Sequence, residues 1–265
     1  MRLDPHHPAA NNNLAYLYHL GGEIDLAVLF YKKVLEHNPE HRAAAHMIAA
    51  LTGTRSTGSL DSYVKEVFDQ YSLHFEQNLV TELEYCVPTA LRSAFDRVTA
   101  RKARYAHGLD LGCGTGLGGA AFADLVEVLD GLDLSEKMIA IAAGKKIYRN
   151  LYPGSIVDIL AGVEETFDFY LAADVFGYVG DLEETFVRLR QHARRDVLFC
   201  FSTESAEGSG YRLQQTGRFA HSPEYIDTLA QTTRWQVAAV HETLLRKEQG
   251  AWVKGDLWFL SLAES

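Results

Sequence analysis

Cysteine is scarce in this chain of 265 residues, which holds only Cys86, Cys113 and Cys200. An odd count with no metal-ligand spacing argues against disulfide staples and reads as free thiols in a reducing compartment. Basic charge is also short. Lysine and arginine number 25 against 35 aspartates and glutamates, a net charge of −10, which argues against a dedicated nucleic-acid binder with its basic face. The runs "RKAR" (101–104) and "RR" (194–195) precede apolar segments and read as solvated turns. No stretch reaches the roughly 18 apolar residues of a membrane span, and the first residues lack the apolar core of a signal peptide. The expectation is a cytoplasmic protein bound neither to membrane nor to nucleic acid. His6, His7, His19, His37, His41 and His46 are scattered without metal-ligand spacing, so no metal is expected. What remains is an ordinary globular composition, 47% apolar and 23% charged, with enough material for a sizeable core.

Two regions follow one another along the chain. Residues 12–36 show helical periodicity on either side of Gly21–Gly22, and Pro39 closes the unit. The spacing of Leu14, Ala15, Tyr18, Ala27, Tyr31 and Pro39 matches the 34-residue tetratricopeptide pattern, and Pro5 stands one such period before Pro39. "AAAHMIAALTG" (43–53) reads as the first helix of a following repeat. The small residues at 15 and 27 let paired helices approach. About one and a half repeats are too few to stand alone, so residues 1–55 are expected to pack on their neighbour or on a second chain, as in a homodimer. A peptide-binding groove for a protein partner is the alternative.

"TGTRSTGS" (52–59) marks the boundary. Beyond it, residues 60–265 alternate between strands and helices. Helices are expected over 61–77, 88–100, 117–125, 135–149, 181–193 and 223–233. Strands are expected over 106–111, 127–133, 155–160, 167–173, 197–202, 236–246 and 252–262. This order predicts an α/β, Rossmann-like sheet of seven strands with an antiparallel hairpin at its C-terminal end.

The segment "HGLDLGCGTGLGG" (107–119) holds six glycines in thirteen residues. Asp110 closes the first strand, and Gly112, Gly114 and Gly116 form a tight turn into a helix near Leu117. In an open α/β sheet ligands bind at this place, where missing side chains expose backbone N–H groups. A dinucleotide fingerprint G-x-G-x-x-G would need its third glycine at position 117, which is Leu117. Asp133 ends the second strand 21 residues after Gly112, where a carboxylate can accept from two ribose hydroxyls. Ser135 reads as the N-cap of the helix that follows.

"LDLGCGTG" with this spacing resembles the first motif of the class I S-adenosylmethionine-dependent methyltransferases. The likeness spans about residues 60–265 and is strongest toward a tetratricopeptide-linked subgroup, with "FDQYSLHFEQNLV" before the core and "GRFAHSPEYIDTLA" after the fifth strand. The resemblance implies S-adenosylmethionine as cofactor. Asp110, Gly112, Cys113, Gly114 and Gly116 would hold its methionine half and Asp133 its ribose. Leu134 and Met138 would meet the adenine, with Asp158 and Ile159 as further adenine contacts, and Ala173 would leave room beside the cofactor. Tyr71, with Phe75, would belong to a lid and bring an aromatic near the cofactor carboxylate. Asp174, Phe176 and Tyr178 would face the reaction centre, with Arg218 and Tyr225 lining the same mouth.

His221, on the loop after the fifth strand, is the candidate general base, since an imidazole near pKa 6.5 can take a proton at neutral pH. No Asn/Asp-Pro-Pro-aromatic clamp follows the fourth strand, and no cysteine lies there to attack a pyrimidine ring. The resemblance thus implies methyl transfer to a small molecule, at oxygen or nitrogen ahead of carbon, with an acidic carbon left open. A nicotinamide-dependent oxidoreductase and a tetratricopeptide scaffold or protein-modifying methyltransferase are the competing readings.

Overall fold

Apolar side chains at helical spacing build the first three elements, α1 (Pro8–Leu20), α2 (Ile24–His37) and α3 (Arg42–Thr52). The computed structural model describes residues 7–54, 61, 64–65, 68–69, 83–99, 104–248 and 250–263. Pro8 suits the start of α1, because the N–H it lacks would have no helical partner there. Gly53 ends α3 in the left-handed conformation, φ 68°. Ala15 and Ala27 are wholly buried, and with Tyr31, Val34, Ala44, Met47 and Leu51 they form a core of their own. Leu14, part of the expected repeat pattern, stays exposed.

The chain divides into two compact units, and the first takes in residues 212–219 as well as the helices. Within it, buried His46 places Nε2 2.7 Å from the carbonyl oxygen of Gly217. Arg218 belongs to this unit.

The second unit holds most of a nine-stranded sheet. Its strands are β1 (Tyr105–Leu111), β2 (Val126–Asp133), β3 (Leu151–Pro153), β4 (Phe167–Ala172), β5 (Ala193–Ser205), β6 (Tyr211–Leu213), β7 (Phe219–His221), β8 (Trp235–Glu248) and β9 (Ala251–Leu262). Strands β3, β2, β1, β4 and β5 lie side by side and parallel, while β9 runs antiparallel to both β5 and β8. Glu204 of β5 is paired on both edges, to Ala220 and to Gly255. Short β7 therefore continues along the edge of β5 that β4 has left.

Helices among the described residues include α4 (Val87–Val98), α5 (Leu117–Phe122), α6 (Glu136–Gly144), α7 (Ile156–Gly162), α8 (Glu183–Gln191) and α9 (Pro223–Thr232). Because helices cover both faces, β4 is buried at every position. Its side chains alternate between two cores: Tyr170 and Ala172 join Phe186, Leu189 and Ile226 on one face, and Phe169 and Leu171 join Leu91, Phe95 and Phe122 on the other. The carboxylate of Asp168 accepts from the amides of Ala106 and His107, both at 2.8 Å, and pins β4 to β1.

Two expectations need correction. The segment 155–160 is not a strand: the third strand ends at Pro153, and Ser155 caps a helix by accepting from the Asp158 amide. Ile156, Ile159 and Leu160 have helical spacing, and a short apolar run does not by itself separate strand from helix. The sheet has nine strands rather than seven because residues 206–222 contribute β6 and β7.

Gly255 crosses β9 where a Cβ would overlap the side chain of Leu245 and the carbonyl of Thr203. Since the carbonyl belongs to the sheet and cannot move aside, Gly255→Ala is expected to cost about 1–3 kcal/mol, read as a lower urea midpoint with unchanged slope.

Candidate active site

The site is built where β1 and β2 end. After Leu111 the backbone turns through Gly112, Gly114 and Gly116, all with positive φ (58°, 53° and 91°), a conformation that glycine adopts without steric cost. Asp133 holds this bend. Its Oδ2 accepts from the Gly114 amide at 2.9 Å and its Oδ1 from the Ser135 amide at 2.8 Å. Burial pushes the Asp133 carboxyl up in pKa, against the pull of those two N–H donors. A carboxylate carries about four lone-pair sites, so acceptor capacity remains. Ser135 is the cap expected of it: its hydroxyl accepts from the Met138 amide at 3.2 Å and donates to Asp69 Oδ1 at 2.5 Å.

The glycines do not share one task. Around Gly114 no atom lies within 4 Å of where a Cβ would stand, so the bend is open there. At Gly112 a Cβ would meet Val175, from the turn after β4. Gly116, Gly119 and Gly131 all make room for the ring and hydroxyl of Tyr148. The missing side chains of Gly112 and Gly116, expected to admit a ligand, are thus accounted for by protein neighbours.

Asp110 is also placed differently from expectation. It lies beneath the bend, 1% exposed, with Oδ2 accepting from the Tyr148 hydroxyl at 2.7 Å. Burial drives its pKa up to about 7, opposed by the Tyr148 hydroxyl and the Gly119 amide and assisted by the charge of Asp133. A buried group already bonded from above supports the bend and does not face a ligand. Cys113 is buried as well, and burial followed by the nearby Asp110 and Asp133 charges holds its thiol well above the usual range. Thr115 is different: its Oγ1 is buried and finds no hydrogen-bond partner among the described residues.

Of the residues expected at the adenine, Leu134 is half-buried beside Asp133. Met138 has no exposed surface and packs as core, a correction to its expected ligand contact. Asp158 sits in the first turn of α7, exposed, with Oδ2 accepting from Ser155 Oγ at 2.8 Å, and Ile159 lies on the same helix. Neither ends a strand as expected, because the third strand stops five residues before Asp158.

Ala173, expected beside the cofactor, accepts from the Tyr85 hydroxyl at 3.4 Å. Asp174 has φ 63°, and its amide donates to Ser202 Oγ at 2.9 Å. Tyr178 packs edge-on to Phe68 with ring centroids 5.1 Å apart. Phe176 is fully buried among Phe186, Phe199 and Phe201, so it is core and presents nothing to a substrate. Tyr225 accepts from the Leu182 amide and donates to Asp181 Oδ1, holding the turn before α8. Arg218 lies in the first unit. Tyr71 and Phe75 lie outside the described residues.

His221 is wholly buried. Its Nε2 is 2.8 Å from the Gly180 carbonyl oxygen, and burial lowers its pKa despite the carbonyls of Gly180 and Val179. An imidazole without exposed surface anchors the turn at residues 179–181 and offers an acceptor no access, which corrects its reading as a general base. Tyr148, Thr115 and Asp69 escaped the sequence reading. The surplus of glycine at 119 and 131 was the one signal that a large side chain passes nearby.

Residues 109–199 match the family described as "Methyltransferase domain". Solved structures share the architecture at low identity. An S-adenosylmethionine-dependent methyltransferase from Clostridium acetobutylicum ATCC 824 superposes with a TM-score of 0.55 at 13% identity, over 75% of this chain and all of that one. Magnesium protoporphyrin IX methyltransferase from Synechocystis PCC 6803 with bound SAM gives 0.57 at 14%, over 78% of this chain and 100% of its own. The N-methyltransferase NodS from Bradyrhizobium japonicum WM9, in complex with S-adenosyl-L-homocysteine, gives 0.54 at 15%, over 66% and 87%. The fold is that of the class I methyltransferases. No curated protein matches the chain. Among the described residues no helix is long and apolar enough to cross a membrane, and no cluster of His, Cys, Asp or Glu could hold a metal.

The Asp110 carboxyl gives the fold a pH dependence. Its folded pKa of about 7 exceeds the usual 3.8, so the native state binds more protons than the unfolded state between these values, and stability falls as pH rises through that window. Asp110→Asn keeps the shape and the acceptor for Tyr148 but removes the charge. Its stability relative to the parent should therefore improve steadily from about pH 4 to about pH 7 and then level off, as read from urea midpoints across that range.

Proposed function

We propose that this chain is an S-adenosylmethionine-dependent methyltransferase acting on a small-molecule acceptor at an oxygen or nitrogen atom. The observation that carries the reading is the open bend at Gly114 bound to the Asp133 carboxylate. A nucleoside has its ribose hydroxyls to offer that carboxylate, and the free space at Gly114 admits the chain beyond the sugar. The unpartnered hydroxyl of Thr115 in the same loop fits this reading, because a buried polar atom left without a partner is costly. Backbone at Gly112–Gly116, Thr115 and Asp133 would hold the cofactor, with Leu134 at the adenine.

That cofactor supplies a methyl group already activated on a sulfonium. The chain's own part is to align an acceptor with it and to exclude water, and orientation alone can contribute roughly 7–11 kcal/mol. A conspicuous base is not required, consistent with the burial of His221. Phe68 packs on Tyr178, near the proposed acceptor, and Asp69 accepts from Ser135 Oγ, near the proposed cofactor. The methyltransferases with the same fold support this reading over a nicotinamide enzyme, as does the G-x-G-x-G spacing. We read residues 1–55 as a tetratricopeptide-like segment and 60–265 as the catalytic domain.

Asp133→Ala removes the proposed ribose acceptor. Affinity for S-adenosylhomocysteine should drop by about 1–3 kcal/mol in isothermal calorimetry. Undiminished affinity would mean that the sugar is held elsewhere, and the reading would fail.

A further inference from the structure

We infer that Tyr148 is a positioning residue for the cofactor bend: its hydroxyl bonds Asp110 and its ring fills the space vacated by three glycines, so that residues 112–119 are set before any ligand arrives. This rests on the reading of that bend as the cofactor site.

Tyr148 comes from the loop after α6, and nothing in its local sequence marks it. Three tertiary observations converge on it. The hydroxyl donates to Asp110 Oδ2 at 2.7 Å, at the end of β1. A Cβ at Gly119 would overlap that hydroxyl, one at Gly116 would stand 3.2 Å from the ring, and one at Gly131 3.0 Å from it. The ring thus touches the bend, the helix that leaves it and the neighbouring strand β2. The loop itself is fastened beside Tyr148: Arg149 donates to both oxygens of buried Asp130, Nε to Oδ1 at 3.0 Å and Nη2 to Oδ2 at 2.6 Å, and the Asn150 amide adds a third bond to Asp130 at 3.1 Å. A loop held this way has little freedom to withdraw the ring.

The chain of contacts runs from Asp130 through the loop to Tyr148 and on to Asp110. From there it reaches α5 directly, since the Asp110 oxygens lie 3.4 Å from where a Cβ of Gly118 would stand. The titratable groups facing Asp110 are Tyr148, Cys113 and Asp133. Of these Tyr148 supplies a donor to it. Removing that donor leaves a buried carboxyl with one bond fewer and loosens the support of the open position at Gly114.

The test is Tyr148→Phe, which keeps the ring and deletes the hydroxyl. In the ligand-free protein, amides of residues 112–119 should exchange with deuterium faster than in the parent, and the carboxyl ¹³C titration of Asp110 should move to higher pH. Affinity for S-adenosylhomocysteine should fall about two- to tenfold, the range set by one hydrogen bond. Gly119→Ala, which pushes on the same hydroxyl while retaining the tyrosine, should shift exchange and affinity in the same direction and serves if the first variant does not fold. Unchanged exchange and affinity, or a lower melting temperature with the Asp110 titration unmoved, would overturn the proposal by reducing Tyr148 to filling. If the parent protein itself fails to bind S-adenosylhomocysteine, the cofactor reading falls, while exchange and titration still decide what Tyr148 does.

Discussion

One carboxylate joins the two strand ends on which the site is built. Asp133 accepts from an amide of the β1 bend and from an amide at the start of α6, so neither loop can move without breaking a bond to a partly desolvated charge. Such charge-assisted bonds are shorter and stronger than neutral ones, and losing one leaves the remaining partner buried and unsatisfied. The order of parallel strands β2 and β1 brings the two loops side by side. The carboxylate then fixes their spacing. A ligand that uses Asp133 therefore meets an acceptor already oriented, and binding does not have to supply that ordering.

The glycine-rich segment shows how one sequence feature can serve two constraints. An open bend needs glycine at 114 for φ and for free space. A large aromatic ring packed below needs glycine at 116, 119 and 131. The first constraint faces outward and the second inward. Together they place a hollow on one side of the backbone and a filled, hydrogen-bonded support on the other. Protein interiors are packed closely enough that a single extra carbon at any of the inward positions must displace something.

Those two constraints differ in how well the sequence reveals them. The bend was legible because its spacing is local: three glycines two residues apart, at the end of an apolar strand. Asp133 was legible because strand length sets its distance from the bend. Helices α1 to α3, β1, β2, β4, α8, α9 and the closing pair β8 and β9 lie close to where periodicity puts them. Tyr148 was not legible, since its partners are 38, 32, 29 and 17 residues away in the chain and meet it only in three dimensions. Asp158 was misplaced because "SIVDIL" satisfies strand and helix patterns alike. His221, Phe176 and Met138, all buried, show a third reason: a residue type can suggest chemistry, but only packing decides whether its atoms reach a ligand.

The turn after β4, where we propose that an acceptor sits, is built for rigidity. Asp174 holds a positive φ, a conformation that costs a non-glycine residue on the order of 1 kcal/mol and persists where neighbours over-determine it. Here they do. Ser202 takes its amide, and Arg246 places Nη1 3.4 Å from its Oδ1 while Nη2 donates to buried Glu204 at 2.7 Å. Arg246 and Glu204 come from β8 and β5, and Glu204 is itself locked by pairing on both edges. A buried ion pair of this kind gains little net stability over apolar packing, so stability alone is a weak reason for it. What the pair does is fix one backbone turn, at the carboxyl end of β4, to the strands beside it. For the methyl transfer proposed above, whose barrier alignment would lower, a turn held at several points is the useful property. The burial of His221, which ties down the next stretch of the same turn at Gly180, then belongs to the same design.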